Sequence, residues 1–162
     1  MPISESEFRN ALACFASGVN IVTTIDAAGN LHGLTVSAFC SVSLSPPLVL
    51  ICIEKITASH YAFRESGAFV VNILSKSQSH LSEHFATPID NKFGIVEYRP
   101  GIAGIPVIEG TLANLECRIV NTFDGGDHSI FVAQIEQSRT APGEALVYYQ
   151  HAYNELRRLI QK

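Results

Sequence analysis

Two long runs of alternating apolar and polar residues flank the turn sequence Asp124-Gly125-Gly126-Asp127, and this pattern limits the fold more than any other feature. The runs are TLANLECRIVNTF before the turn and HSIFVAQIEQSR after it. Alternation with a period of two in β-branched sequence is typical of strands, and glycine readily adopts the positive φ that a tight hairpin turn requires. The sequence therefore predicts a long antiparallel hairpin.

Other segments extend the β pattern. VNIVTTID and LHGLTVSAFCSVSL are separated by the turn Ala28-Gly29-Asn30, which predicts a second hairpin. AFVVNIL and LVYYQ are also predicted strands. LVLICI is a continuous apolar run and predicts a strand that is buried on both faces. Strands so rich in β-branched residues and joined by hairpins favour a small barrel of about six or seven strands.

Helices are predicted between these strands. Hydroxyl and carboxyl side chains from Ser4 onward predict a helix start, and Gly18 is expected to stop that helix. TASHYAFRES predicts a short helix closed by Gly67, and Ser75-x-x-Gln78 is a capping-box pattern that opens a helix through about Phe85. Residues 87–110 are expected to be irregular, and the chain end is expected to be helical.

Length and charge narrow the class of protein. A chain of 162 residues without a linker or repeat is expected to form a single domain over residues 1–162. The formal net charge is −4 and the chain has no basic run beyond Arg157-Arg158, so nucleic-acid binding is not expected. There is no apolar stretch long enough for a membrane span and no signal-peptide pattern, so we expect a cytoplasmic protein without membrane contact. Only 16% of residues are charged, which favours a homo-oligomer.

Several common chemical signatures are missing. The four cysteines form no CxxC pair, and Cys14, Cys40 and Cys52 are expected to be buried, reduced thiols. The chain has no GxGxxG, GxxxxGK[ST] or GxSxG pattern. His80 and His84 stand four residues apart and could clamp a metal ion, but no third ligand accompanies them. A solvated polar helix face is the favoured interpretation, and no metal is expected.

An ordered set of short motifs resembles the flavin reductase domain family, the FMN-binding split barrel of two-component monooxygenase reductases. The motifs cover nearly the whole chain in the order typical of that family. They are Phe8-Arg9, GVNIVTT at 18–24, GLTVSAF at 33–39, SVSLSPPLV at 41–49, FVVNIL at 69–74, HFA at 84–86, Lys92-Phe93, LANLEC at 112–117, GDHSIF at 126–131 and LVYY at 146–149.

The resemblance implies a fold and an activity. The fold is mainly β with flanking helices, an antiparallel six-stranded split β-barrel that forms a homodimer with a flavin near the subunit interface. The activity is NAD(P)H:flavin oxidoreductase, which reduces FMN or FAD by hydride transfer from NADH or NADPH stacked on the flavin. The reduced flavin is then delivered to a partner oxygenase.

Candidate flavin-binding residues follow from the same resemblance and from the chemistry of the side chains. The flavin pyrimidine edge is expected against small residues with an approachable backbone, namely Thr35, Val36, Ser37 and Ala38. The phosphate is expected where a buried strand leads into hydroxyls and a lysine, namely Cys52, Ile53, Lys55, Thr57, Ser59 and His60. The last group, Phe85, Lys92 and Phe93, is expected to border the flavin and its phosphate.

Each of these assignments has a structural alternative. Residues 35–38 could be an ordinary strand with a polar outer face. Lys92 could be a solvated surface lysine, and Phe85 could serve core packing alone.

His128 is the predicted reaction-centre residue, because Gly126-Asp127-His128 matches a motif of the family. The resemblance implies that His128 positions the nicotinamide, and that Tyr153 covers the groove. The alternative for His128 is a turn histidine bonded to Asp127. The tail reads Gln150-His151-Ala152-Tyr153, where relatives often carry arginines, and this mildly favours NADH over NADPH.

Two other function classes remain open from the sequence. One is a flavin-binding electron-transfer or storage protein without nicotinamide-dependent activity, since a fold does not determine its chemistry. The other is a structural homodimer without a cofactor.

Overall fold

The computed structural model describes residues 3–157 and shows a mainly β protein with three α-helices. Short 3₁₀ turns connect several of its elements. In chain order these are α1 (Glu5–Ala13), β1 (Ser17–Gly18), β2 (Asn20–Ile25), β3 (Leu31–Val36), β4 (Phe39–Ser43), β5 (Leu48–Glu54), α2 (His60–Ser66), β6 (Ala68–Ile73), α3 (Ser79–Ala86), β7 (Tyr98–Pro100), β8 (Pro106–Ile108), β9 (Ala113–Gly125), β10 (His128–Thr140), β11 (Val147–Tyr149) and β12 (Ala152–Asn154).

The principal sheet has seven antiparallel strands in the order β3-β2-β6-β9-β10-β5-β4. Its two edge strands, β3 and β4, are consecutive in the chain and are separated only by Ser37 and Ala38. The sheet must therefore curl until its edges approach each other. Within residues 3–157 no ladder pairs β3 with β4, so the barrel stays split at this corner. The expected split barrel is confirmed.

The predicted long hairpin is the centre of this sheet. Strands β9 and β10 each have 13 residues and turn at Gly126-Asp127, where Gly126 has φ +80°. The backbone N–H of Lys55 donates to Asp127 O at 2.9 Å and attaches this turn to the end of β5. Register shifts between Val132 and Ala133, and between Ile135 and Gln137, bend the hairpin around the barrel.

The barrel interior is filled by alternate residues of the strands and by one helix. Phe63 of α2 lies 6.0 Å from Phe131 and 6.5 Å from Phe69, measured between ring centroids, and all three rings are fully buried. Gly67 ends α2 with φ +65°, as predicted. Helix α3 packs on the outside of the barrel, where Leu81 and Phe85 join a second apolar cluster.

Strand β5 corrects one prediction. Val49, Ile51 and Ile53 are buried in the barrel, but Leu50 and Cys52 are only half-buried on the outer face. The prediction that LVLICI is buried on both faces is therefore wrong, because the outer apolar face lines a surface groove.

The predicted burial of three cysteines also needs correction. Cys14 and Cys40 are exposed and Cys52 is intermediate, so the expectation that these three thiols are buried is wrong. Apolar neighbours in the sequence indicated burial, but at the outer barrel face those neighbours are themselves partly exposed.

The helix starts predicted at Ser4 and Ser75 are confirmed, but the predicted end of the first helix is not. The Ser4–Glu7 and Ser75–Gln78 capping boxes are both present. Helix α1 ends at Ala13, five residues before Gly18, which instead belongs to β1, so the predicted end is wrong. No helix within residues 3–157 is long and apolar enough to cross a membrane.

The two segments expected to lack strands contain short ladders. Residues 87–110 are largely irregular, but β7 pairs with β8 within them. After β11 the chain turns through Gln150 and His151, at φ +49° and +63°, and returns as β12, so Ala152–Asn154 is not helical. Residues 158–162, on which the rest of the predicted terminal helix falls, lie outside the described residues.

One buried side chain joins three parts of the fold. Asn72 of β6 is fully buried and donates from Nδ2 to Ile21 O at 3.0 Å. Its Oδ1 accepts from Ile108 N and from Asn114 Nδ2, both at 2.9 Å. Asn72 therefore satisfies polar groups of β2, β8 and β9 that water does not reach.

Asn72→Ala is expected to lower the free energy of unfolding by about 2–4 kcal/mol, since each buried polar group left without a partner costs about 1–3 kcal/mol. The measurement is urea denaturation followed by circular dichroism. Asn121→Ala, at an exposed position of β9, is the matched control and should change the free energy by less than about 0.5 kcal/mol. Equal effects of the two variants would contradict this role for Asn72.

Candidate functional site

Most of the predicted site residues line two surface grooves. Groove A, of about 820 Å³, lies between β3, the loop after β5 and the end of α3, and contains Thr35, Thr57, Ser59, Phe85 and Lys92. The structure therefore assembles residues from four separate segments of the sequence.

Groove B has a volume of about 610 Å³ and lies on the outer face of β4 and β5, where Ser37, Ala38 and Cys52 line it. The chain between β3 and β4 thus passes from one groove to the other. Burial raises the pKa of the Cys52 thiol, which favours its protonated form.

The loop at residues 55–59 presents hydrogen-bond donors to groove A. The backbone N–H groups of Ile56, Ala58 and Ser59 find no acceptor among residues 3–157, and all three residues line the groove. The hydroxyls of Thr57 and Ser59 lie in the same loop. This donor set matches an anionic group such as a phosphate.

Lys92 supplies a positive charge to the same groove. Its Nζ donates to Phe85 O at 2.7 Å and to Gly33 O at 3.3 Å. Burial lowers the pKa of Lys92, and no carboxylate of the described residues lies within ion-pair distance of it. Lys92 is therefore a half-buried cation whose charge an anion in groove A would stabilise, and not a solvated surface lysine.

Phe85, which lines groove A, belongs to an aromatic pair. Phe85 is fully buried and meets Phe93 edge-to-face at 5.3 Å. The pair packs directly on β3 at Gly33, where an added Cβ would lie 2.6 Å from Cε1 of Phe85. Phe85 thus both packs in the core and lines the groove, so neither of its sequence interpretations excludes the other.

A third cavity adjoins groove A. Groove C, of about 710 Å³, shares Ser59 and Lys92 with groove A and extends to Phe93 and His32. His84 of α3 donates from Nε2 to Lys92 O at 2.9 Å and so holds the backbone of Lys92 in place. Among residues 3–157, no group of three His, Cys, Asp or Glu side chains is arranged to hold a metal ion.

Besides His128 and Tyr153, four predicted residues line none of the three grooves. The side chains of Val36 and Ile53 are buried in the barrel core, so only their backbones are available to a ligand. Lys55 is held by Asp124 and by the carbonyl of Gly126 at the hairpin turn. His60 Nε2 bonds Ser129 Oγ at 2.9 Å, and burial lowers the His60 pKa, with smaller contributions from nearby cations.

His128 lies at the start of β10, directly opposite Glu54, which lines groove A. Its Nδ1 is 2.7 Å from Asp127 Oδ1, and this hydrogen bond lowers the pKa of Asp127. An ionised carboxylate only accepts, so Nδ1 carries the proton and Nε2 is directed elsewhere. The turn-histidine bond is therefore present, and it leaves one ring nitrogen for a ligand.

Tyr153 is anchored to α3. Its hydroxyl donates to Ser82 Oγ at 2.8 Å, and Thr35 Oγ1 donates to Ser82 O at 2.6 Å. Ser82 thereby ties β12 and β3 to one point of the helix. Ser82 was not among the predicted site residues, although it interrupts the apolar face of the predicted third helix. His84 was considered as a metal ligand or as part of a solvated face, and its bond to Lys92 O was not predicted.

Groove B is continued by an apolar surface that the sequence analysis did not assign to the site. Phe8, Leu12 and Phe15 of the α1 region line it and are 53%, 57% and 76% exposed. Helix α1 buries none of its residues.

Comparisons with known proteins agree with this geometry. Residues 12–157 match the family described as flavin reductase like domain. The reductase component of a 4-hydroxyphenylacetate 3-monooxygenase from Pseudomonas aeruginosa is 34% identical over 94% of this chain and 92% of the relative. The reductase component of a 4-nitrophenol 4-monooxygenase/4-nitrocatechol 2-monooxygenase from Rhodococcus opacus is 40% identical, over 92% of this chain and 80% of the relative.

Among solved structures, an NADH:FAD oxidoreductase from Streptomyces globisporus, in complex with NAD and FAD fragments, superposes with a TM-score of 0.91. It is 32% identical, and the match covers 97% of this chain and 95% of that one. Sequence and structure therefore agree over nearly the whole described chain: this protein belongs to the flavin reductase like domain family.

Proposed function

We propose that this protein is an NAD(P)H-dependent flavin reductase that reduces FMN or FAD and supplies the reduced flavin to a partner oxygenase. The observation that carries the proposal is groove A. It is lined by a half-buried lysine that has no ion-pair partner among residues 3–157, by two hydroxyls, and by three backbone N–H groups that find no acceptor in the same range. Support also comes from relatives named as reductase components of monooxygenases.

The residues present fit a flavin. The donors of loop 55–59 and the ammonium of Lys92 would hold its phosphate. The exposed residues Ser37 and Ala38 leave the backbone at the β3–β4 corner open to the polar edge of the ring. When bound, the flavin supplies the hydride-accepting ring, with transfer from nicotinamide C4 to N5.

His128 is the proposed nicotinamide-positioning residue. The bond to Asp127 fixes the ring orientation and directs Nε2 away from the turn. Hydride transfer needs stacking at about 3–3.5 Å and exclusion of water more than it needs an acid or base. Tyr153, held by Ser82, is proposed to cover the site.

The preferred donor is proposed to be NADH. The turn that contains Gln150 and His151 lines groove B and carries no arginine or lysine. Among the residues lining groove B, Arg9 is the single arginine or lysine, and it is paired with Glu5. A 2′-phosphate would favour cationic partners that this region does not offer freely.

We also propose that the chain is a homodimer. The exposed apolar residues Phe8, Leu12 and Phe15, with the outer face of β5, form a surface that a second copy would cover. Residues 1–162 are proposed to act as a single domain in the cytoplasm. All four cysteines are free, and this supports the cytoplasmic location because thiols are kept reduced there.

The direct test mixes purified protein with FMN or FAD and NADH under air and follows the loss of NADH absorbance. Turnover that requires both flavin and protein is expected. Flavin binding without NADH oxidation would instead favour an electron-transfer or storage protein, and absence of flavin binding would leave only a structural role.

His128→Ala is expected to lower kcat/KM for NADH at least about tenfold, because a small misplacement of the reacting atoms costs up to about 100-fold in rate. The dissociation constant for FMN should change less than about threefold, since His128 lies outside the phosphate groove. The exposed residue His80 provides the matched control, His80→Ala. Unchanged NADH kinetics would remove His128 from the site.

Lys92→Met is expected to weaken FMN binding about 10- to 100-fold and leave riboflavin binding nearly unchanged, because a charge-assisted hydrogen bond contributes about 1.5–3 kcal/mol. Fluorescence titration of the flavin measures both constants. Lys76→Met is the control, since Lys76 is exposed and pairs with Glu144. An equal loss for riboflavin would show that Lys92 supports the fold and does not bind phosphate.

A further inference from the structure

A cluster of polar side chains beside groove C has no part in the proposed reaction. Asp26 is buried, and its Oδ1 accepts from the backbone N–H groups of Ala28 and Asn30 at 3.0 and 2.8 Å. Its Oδ2 accepts from Asn30 Nδ2 at 2.9 Å and from Tyr61 Oη at 3.1 Å. Hydrogen bonds from His32 and Asn30 hold the pKa of Asp26 well below its usual range, so the carboxyl group is ionised.

His32 connects this carboxylate to the groove. Its Nε2 lies 3.0 Å from Asp26 Oδ2, and its Nδ1 lies 3.3 Å from Ser59 Oγ. Because an ionised carboxylate only accepts hydrogen bonds, Nε2 carries a proton in both charge states of the ring. The proton that His32 gains or loses is therefore the one on Nδ1, which faces Ser59.

The charge state of His32 sets the direction of the Ser59 hydroxyl. With neutral His32, Nδ1 is an acceptor and Ser59 donates its proton to the ring. With protonated His32, Nδ1 donates to Ser59 Oγ, and the hydroxyl proton is released toward the grooves that Ser59 lines. Only the second arrangement allows Ser59 to donate to an anion.

We propose that His32, held by Asp26, is a positioning residue that couples binding of a phosphorylated flavin at Ser59 to uptake of one proton. This inference rests on the proposed function and adds a way for the protein to distinguish phosphorylated from unphosphorylated flavins. A phosphate distinguishes FMN from riboflavin, so the relay acts on phosphorylated flavins alone.

The charged groups around His32 are consistent with proton uptake when a phosphate binds. Its immediate partners are the Asp26 carboxylate and Ser59, and the Tyr61 ring meets it edge-on at 5.5 Å. The other charged groups near this cluster are Glu65 of α2, which lies 3.5 Å from Ala27 N, and Asp90 and Lys92, which line groove C. A phosphate at Ser59 adds negative charge beside the ring and stabilises its protonated form.

The test measures the dissociation constant of FMN between about pH 5.5 and pH 8.5, the range in which histidines titrate. The proteins are the wild type and His32→Asn, whose amide keeps a hydrogen bond near the Nδ1 position but takes up no proton. The phosphate of FMN also titrates near pH 6, and it does so for both proteins. The informative quantity is therefore the dissociation constant of the variant divided by that of the wild type at each pH. His80→Asn, at an exposed histidine of α3, is the matched control.

FMN is expected to bind His32→Asn about tenfold more weakly than wild type at the acid end, with the ratio falling toward one as the pH rises. Ser59→Ala should show the same trend, which keeps the test valid if His32→Asn does not fold. Calorimetry in two buffers should show up to one more proton taken up by wild type than by either variant. With riboflavin, the wild type and both variants should show no such pH-dependent ratio.

A ratio that is constant across the pH range, for FMN binding that is otherwise intact, would overturn the relay and leave the proposed function standing. Wild-type protein that binds FMN no more tightly than riboflavin would overturn the phosphate groove itself, and the relay with it. A pH-dependent ratio that also appears with riboflavin would assign His32 to the stability of the β2–β3 turn.

Discussion

Strands β3 and β4 form opposite edges of one sheet, yet only Ser37 and Ala38 separate them in the chain. A connection this short forces the seven strands to curl until the two edges approach each other, and the N–H of Cys52 in β5 donates to Ala38 O of this connection at 3.1 Å. Both residues of this corner are exposed and line groove B. The exposed corner at which we propose that the polar edge of the flavin binds is thus a direct consequence of joining opposite edges of the sheet with two residues.

Features that depend on local sequence could be predicted. The capping boxes at Ser4 and Ser75, the stop at Gly67 and the β9–β10 turn each involve neighbouring residues whose backbone preferences are strong. The turn at Gln150 and His151 could not be predicted, because residues other than glycine adopt a positive φ only uncommonly, and this turn precedes a pairing of β12 with β11 that depends on tertiary structure.

In the candidate site, the chemistry of a polar side chain could be inferred from the sequence, whereas the direction of a strand side chain could not be inferred from a motif. Thr57, Ser59 and Lys92 meet in groove A because a loop and the end of α3 approach the same strand. The side chains of Val36 and Ile53 point into the barrel, because alternate residues of a strand face opposite sides of the sheet. A sequence motif alone does not show which of its residues face inward. His32 was missed because its partners, Asp26 and Ser59, come together only in the tertiary structure.

The close approach of Gly33 to two phenylalanines links the shape of grooves A and C to the packing of the core, because Phe85 lines groove A while Gly33 and Phe93 line groove C. The space that a side chain at residue 33 would need is already filled by Phe85 and Phe93, whose rings would lie 2.6 and 3.1 Å from its Cβ. The three positions therefore share one fixed volume. In descendants of this sequence, residue 33 can grow only where residue 85 or 93 shrinks, so the shape of these grooves and the packing of the core change together.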